Sequence, residues 1–255
     1  MPERPENVEC CITALQSHLT EYLDYAFDTA IMPVIFRQIA AVFMKELRSE
    51  LATRAALNAA LMFVSTTVMM IAFATADEKI TNGVASGLLW VVLFFSAMTG
   101  LARTFVAEEE RGTTLLLQLV APPMAVYFGK LLFNIALMLA LAALGITLFV
   151  VVIHDVSVKS PLLFLVGIIL GSIATASATT MISAIIAKAS SKGALLPVLA
   201  FPVLLPLVLV GVEITYQALV GIDMLQARQS LQLMAAYIVV VVSLSSLLFD
   251  AVWKD

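Results

Sequence analysis

Charge is scarce in this sequence. Only 13% of its 255 residues are Asp, Glu, Lys or Arg, about half the share of a soluble domain. Histidine, cysteine and tryptophan number two each. Cys10 and Cys11 are adjacent, so they build no disulfide framework and read as reduced thiols. A redox or metal role would need partner ligands, and none stands beside them. His18 and His154 are isolated; His154, beside an apolar run, reads as a solvated side chain before it reads as a ligand for heme iron. HExxH and GxSxG are absent. Gly129-Lys130 is no phosphate loop, because Met124 holds the earlier glycine position and Leu131 follows the lysine. No catalytic residue and no metal ligand is therefore assigned, and the chain reads as a non-enzyme. The formal net charge of −4, without a basic stripe, gives nucleic acid no footprint. Residues 1–35 carry Glu3, Arg4, Glu6, Glu9, Glu21, Asp24 and Asp28 and lack the apolar core and cleavage site of a secretory signal.

Apolar residues fill the space that charge leaves. They make up 62% of the chain, with a mean hydropathy of +1.03, more than one protein core can bury. Lipid is the solvent this requires. About 20 apolar residues cross a bilayer as a helix. Six runs meet that length: roughly 57–76, 84–107, 131–153, 161–187, 194–215 and 231–251. They are continuously apolar and do not alternate, which favours helices over barrel strands. The expected fold is all-α, a polytopic membrane protein of six transmembrane helices. Residues 1–35 form a weakly structured N-terminal extension, and residues 36–255 a single transmembrane domain.

Orientation follows from Lys and Arg. With a cytoplasmic N-terminus, the inner segments hold Arg4, Arg37, Lys45, Arg48, Arg54, Arg103, Arg111, Lys130, Lys188, Lys192 and Lys254. The outer loops hold only Lys79, Lys159 and Arg228. Both termini are then expected inside. Before the first span, Phe36, Ile39, Ala40, Phe43, Leu47 and Leu51 recur at spacings of three and four. Arg37, Lys45, Glu46, Arg48 and Glu50 fall largely elsewhere on the wheel. This pattern suits an interfacial amphipathic helix, or else a plain cytosolic one.

Three segments stand out. The first is the loop Glu108-Glu109-Glu110-Arg111-Gly112-Thr113, with Leu115, Leu116, Leu117 and Leu119, then Pro122-Pro123 and Gly129-Lys130. The acidic run is expected to end span two at the surface. Gly112 permits a sharp turn and the prolines end a short leucine helix. That helix could dock into the groove of a soluble partner or simply lie on headgroups. The second is span five, where Pro197, Pro202 and Pro206 suggest either a gating helix or a static kink. The third is span four, whose Gly167, Gly171 and Thr175 suit close helix packing, within the chain or between subunits. Arg103, Glu213 and Asp250 stand near span ends, where they can snorkel. No charge is expected at mid-bilayer, which argues against an ion-coupled carrier.

The order of these elements resembles the heme exporter protein B family, CcmB. The resemblance rests on Glu46-Leu47-Arg48-Ser49-Glu50, Leu89-Trp90-Val91, Phe94-Phe95-Ser96, Leu101-Ala102-Arg103 and Glu108 to Thr113. Gly129-Lys130, Ser191-Lys192-Gly193, Leu195-Leu196-Pro197 and Phe201-Pro202 extend it from about Met44 to the C-terminus. It implies an ABC exporter permease of the second type in the bacterial inner membrane, acting in heme export or in release of a heme-loaded chaperone during c-type cytochrome biogenesis. It implies a homodimer, a separate CcmA-like ATPase, CcmC-like and CcmD-like membrane proteins and a CcmE-like chaperone. The ATPase would meet the element within Glu108 to Pro123. Heme would be cargo, with no cofactor stably bound. Only Trp90 and Trp253 occur, so the tryptophan-rich motif of CcmC is missing. The sequence names no heme contacts. An exporter of another amphiphile, lipid or drug, is the nearest alternative, and a non-translocating scaffold the more distant one. Family members begin near the interfacial helix, so residues 1–43 are either an extension or lie upstream of a true start at Met44.

Overall fold

The computed structural model describes residues 34–255, apart from 53, 77–78, 102–103, 154–155, 188, 190–191 and 255. Helix α1 covers residues 34–52. Six long helices follow: α2 (Ala55–Ala74), α3 (Asn82–Gly100), α6 (Pro123–Val152), α7 (Pro161–Ala187), α8 (Lys192–Val220) and α9 (Arg228–Lys254). Between α3 and α6 lie two short ones, α4 (Val106–Arg111) and α5 (Thr114–Val120). No strand occurs among the described residues. All six long helices are long and apolar enough to cross a membrane. The chain is an all-helical, polytopic membrane protein. Helices are what such apolar runs must form, because lipid offers no partner for a free backbone N–H or C=O.

The helix ends are set by local chemistry. Arg54 sits in the left-handed region at φ 52, and its N–H still reaches the Glu50 carbonyl at 2.7 Å. The Glu50 carboxylate accepts from the Leu57 N–H at 2.9 Å, capping the first turn of α2. Pro123 opens α6, where its missing N–H costs nothing. At the far end of the bundle, the Ser160 N–H donates to the Ala218 carbonyl at 3.0 Å. Its hydroxyl donates to the Ile222 carbonyl at 3.0 Å, pinning the start of α7 to the end of α8.

Of the six spans, α7 is the most buried, and α2 and α9 the least. Its small residues let neighbours in. A Cβ at Gly167 would strike Ile214 of α8, and one at Gly171 would strike the Trp90 indole. Trp90 of α3 is fully buried between Gly171 and Gly211. Its Nε1 donates to the Thr215 Oγ1 at 2.9 Å. The Thr175 hydroxyl donates back to the Gly171 carbonyl of its own helix at 2.8 Å. Gly167, Gly171 and Thr175 thus serve the inside of one chain here.

Several boundaries differ from the sequence pattern. The run 84–107 is not one helix: α3 stops at Gly100 and α4 begins at Val106. The Phe105 N–H is taken by the Ser183 Oγ of α7 at 3.1 Å, away from any helix carbonyl, and Thr104 is held by Asn134. The run 131–153 starts eight residues too late, since α6 begins at Pro123, so Lys130 belongs to a spanning helix and not to the loop. The first, fifth and sixth runs become α2, α8 and α9, shifted by two to five residues at their ends. Pro197, Pro202 and Pro206 do not interrupt α8, which is helical throughout. Pro202 and Pro206 lie on its exposed face. The Tyr237 hydroxyl of α9 donates to the Val203 carbonyl between them at 2.6 Å.

Candidate functional site

The elbow between α3 and α6 breaks the run of long helices and carries a dense set of polar contacts. Its turn is made by Gly112 at φ 67, a backbone state that strains any side chain. The Gly112 N–H bonds the Glu109 carbonyl at 3.2 Å and the Thr113 N–H the Glu108 carbonyl at 3.1 Å, closing α4. The Thr113 hydroxyl donates to the Glu108 Oε2 at 2.6 Å. The Thr114 hydroxyl donates to the Glu109 Oε2 at 2.8 Å. Both carboxylates therefore bind the start of α5. Glu110 is exposed. Arg111 reaches across to the Ser49 Oγ of α1 at 2.9 Å.

Helix α5 presents an apolar face to the outside. Leu115, Leu116, Leu119 and Val120 are 64% to 85% exposed. Its other side is held. Leu117 packs on the core, and the Gln118 Nε2 donates to the Trp253 carbonyl of α9 at 2.5 Å. Pro122 is exposed and precedes α6; Pro123 is half-buried. The arrangement is a rigid apolar knob on a braced stalk.

Behind the knob lies an ionic cluster that the sequence pattern does not reveal. Lys130 of α6 is 0% exposed. Its Nζ is 2.6 Å from the Glu46 Oε1 of α1 and 3.6 Å from the Glu108 Oε1 of α4. It also donates to the Thr104 carbonyl at 3.0 Å and lies 4.9 Å from the centre of the Phe105 ring. Lys45 completes the cluster by pairing with Glu46 at 3.1 Å and with Glu108. Two lysines face two glutamates, so the cluster is neutral. A buried charge requires such pairing. Burial alone pushes the Glu46 carboxyl up. The ammonium groups of Lys130 and Lys45 and their hydrogen bonds outweigh this and hold it below its ordinary value. Burial, then the Lys130 ammonium, push Lys45 below its ordinary value, against the pull of Glu46.

The cluster continues into the bundle. The Thr104 hydroxyl donates to the Asn134 Oδ1 at 2.8 Å. The Asn134 Nδ2 donates to the Thr180 Oγ1 of α7 at 2.8 Å. Beside it, Phe105, Tyr127, Phe249 and Trp253 form an aromatic cluster with ring centres 5.3 to 6.0 Å apart.

Two expectations need correction here. Glu108 does not end a span at the surface; it is buried against two lysines and a threonine. Glu46 does not lie on a solvated face of α1. It stands one turn after Val42, which packs on Gly129. The repeat Ile39, Val42, Glu46 was the available signal, since a carboxylate in an apolar stripe calls for a buried cation. Lys130, beyond the prolines of the loop, is that cation. Glu213 is exposed and accepts from the Gln217 Nε2 at 2.8 Å, and Asp250 is partly buried in α9. Cys10, Cys11, His18, Arg103 and His154 lie outside the described residues, as do residues 1–33 of the extension 1–35; residues 34 and 35 belong to α1. The backbone of Pro197 lies in α8.

Six spans, a helix preceding them and a braced apolar elbow define a multi-pass membrane protein. From residue 37 to residue 254, the sequence matches the family model described as CcmB protein. The chain belongs to the CcmB family, that of heme exporter protein B. The family is the membrane permease subunit of a heme-exporter ABC system of cytochrome c maturation and is itself non-catalytic. No curated protein matches the sequence. Both the family match and α1 reach upstream of Met44.

At the opposite end of the bundle, a small apolar cavity lies among Ala85, Leu89, Ile146, Phe149 and Phe164. It is far smaller than a porphyrin.

Proposed function

We propose that this chain is the permease half of an ABC complex for c-type cytochrome biogenesis, and that α5 is where a separate CcmA-like ATPase docks. The observation that carries this reading is the exposed face of Leu115, Leu116, Leu119 and Val120 on a helix braced from behind by Glu108, Glu109 and Gln118. A soluble partner's groove can hold such a knob by apolar burial, and the bracing passes its motion to the spans. Two copies form the translocator, since one chain supplies six spans. Both termini and α5 face the cytoplasm across the bacterial inner membrane, in keeping with the Lys and Arg bias. CcmC-like and CcmD-like proteins and a CcmE-like chaperone complete the assembly. Heme is the cargo, either moved directly or released with its chaperone, and no resident cofactor is required. Pro197, Pro202 and Pro206 lie on the helix that would flex in the cycle.

The test introduces charge into the knob. Leu116→Asp and Leu119→Asp change exposed positions, so the permease should accumulate normally. ATPase co-purification and holo-cytochrome c yield should both collapse. Normal values of both would overturn the docking assignment. Reconstituted vesicles that export a lipid or drug but not heme would favour the amphiphile exporter.

A further inference from the structure

The Lys130 cluster joins three segments remote in sequence. Glu46 and Lys45 come from α1, Glu108 from α4 and Lys130 from α6. Each touches something that should move in a different way. Glu108 holds the start of α5 through Thr113. Glu46 and Val42 seat α1 on α6, where Gly129 leaves no room for a Cβ between them. Lys130 grips the Thr104 carbonyl, and Thr104 leads through Asn134 to Thr180 in α7, the most buried span. The α4–α5 elbow also meets the bundle through Phe105, Val106, Leu117 and Gln118, and α1 through Arg111.

Ion pairs suit a joint of this kind. Apolar contacts can slide with little loss, whereas a buried lysine cannot leave its carboxylates without a large cost. A displacement of α5 must therefore either carry α1 and α6 with it or break the cluster. We propose that Lys130 and Glu46 are positioning residues that transmit motion of the α5 knob to α1, α6 and α7. They act through the elbow and touch neither ATPase nor cargo. The inference rests on the permease reading above and names the element that makes it mechanical.

The test separates transmission from folding and from docking. In Lys130→Met with Glu46→Gln, one positive and one negative group are removed together, and the neutral Lys45–Glu108 pair remains. The complex with the ATPase partner is purified, and ATPase retention, ATP turnover, thermal stability and holo-cytochrome c yield are measured. The double variant should keep the ATPase and near-normal stability, while holo-cytochrome c per ATP hydrolysed falls about tenfold, within the range of coupling-network substitutions. Glu46→Asp keeps both charges but withdraws the carboxylate by one methylene. It should assemble fully and lose part of the same coupling, which keeps the test sharp if the double variant fails to accumulate. Normal output per ATP in either variant overturns the proposal. Loss of ATPase retention in the double variant also overturns it, by placing the cluster in docking. If the wild-type chain itself retains no ATPase, the permease reading fails instead.

Discussion

Two buried crossings hold these helices together, and they are built from opposite materials. At the Trp90 crossing, a single indole fills the gap between Gly171 and Gly211, with one hydrogen bond to Thr215. At the Lys130 crossing, four charged side chains meet, and the nearby fit of α1 on α6 depends on Gly129 and Val42. The first joins spans to spans: α3, α7 and α8. The second joins α1 and the elbow to the spans. Shape suffices where both partners are embedded and need only stay packed. Charge is used where an element at the end of the bundle must be held in one register, because a misplaced ion pair is costly in a way that a misplaced methyl is not.

The largest effect should come from removing one charge of the second crossing. Lys130→Met leaves Glu46 buried with only half-exposed Lys45 to face it. Breaking a buried pair on one side typically costs about 3–5 kcal/mol. Thermal unfolding in detergent should show a large loss that Lys130→Met with Glu46→Gln largely restores. If the single and double variants were equally unstable, the crossing would depend on packing after all.

Acid should reproduce part of that loss. The Glu46 carboxyl is held below its ordinary value by Lys130 and Lys45, facing Glu108 and with Arg111 nearby. A depressed carboxyl contributes stability that is fully present above its unfolded value and is lost as pH falls through the folded one. The α1 amides should therefore keep their full protection factors at neutral pH and lose protection as pH falls below the usual carboxylate range, while α7 around Gly171 stays protected. Equal acceleration at both crossings would remove the distinction between them.

How much of this could be read in the sequence divides along the same line. Six spans were legible because lipid demands long, continuously apolar helices. The seat of Trp90 was half legible: Gly167 and Gly171 announce close approach, but nothing local names the indole that approaches. The elbow was legible as a turn and a leucine helix. The ionic cluster was not: the Ile39, Val42, Glu46 repeat signals a buried carboxylate, but two spans separate Glu46 from Lys130, and nothing local names Lys130 as its partner. The break after Gly100 was hidden for the same reason, since a partner of the segment beyond it, the Ser183 hydroxyl on α7, is remote in sequence. Local pattern carries solvent preference; it does not carry partners.

Next in size are paired glycine substitutions, one for each crossing. Gly171→Ala would drive a methyl into the Trp90 ring, and Gly129→Ala would drive one into Val42 and the Ile39 carbonyl. Overpacking of this kind costs about 1–3 kcal/mol. The comparison predicts different outcomes for similar clashes. Gly171→Ala should lower global thermal stability, because Trp90 has no free direction in which to move. Gly129→Ala should leave the span bundle standing and loosen α1, read as faster exchange there and lower holo-cytochrome c yield. Global destabilisation by both would mean that α1 is part of the core rather than an element latched onto it.

The smallest effect belongs to the outer edge of the ionic crossing. Arg111 donates to Ser49 from an exposed position, and such surface contacts are worth roughly 0–1 kcal/mol. Arg111→Ala should leave thermal stability nearly unchanged. Arg111 is nonetheless the last residue of α4, directly before the Gly112 turn, and its tie to α1 spans the outside of the joint that Glu108 spans within. If the joint works as a unit, Arg111→Ala should add little to Lys130→Met with Glu46→Gln, because a link already cut inside transmits nothing at its rim. Full additivity of the two in holo-cytochrome c yield would show two independent ties, and the ionic crossing would then be one of several loose fastenings rather than the hinge of the elbow.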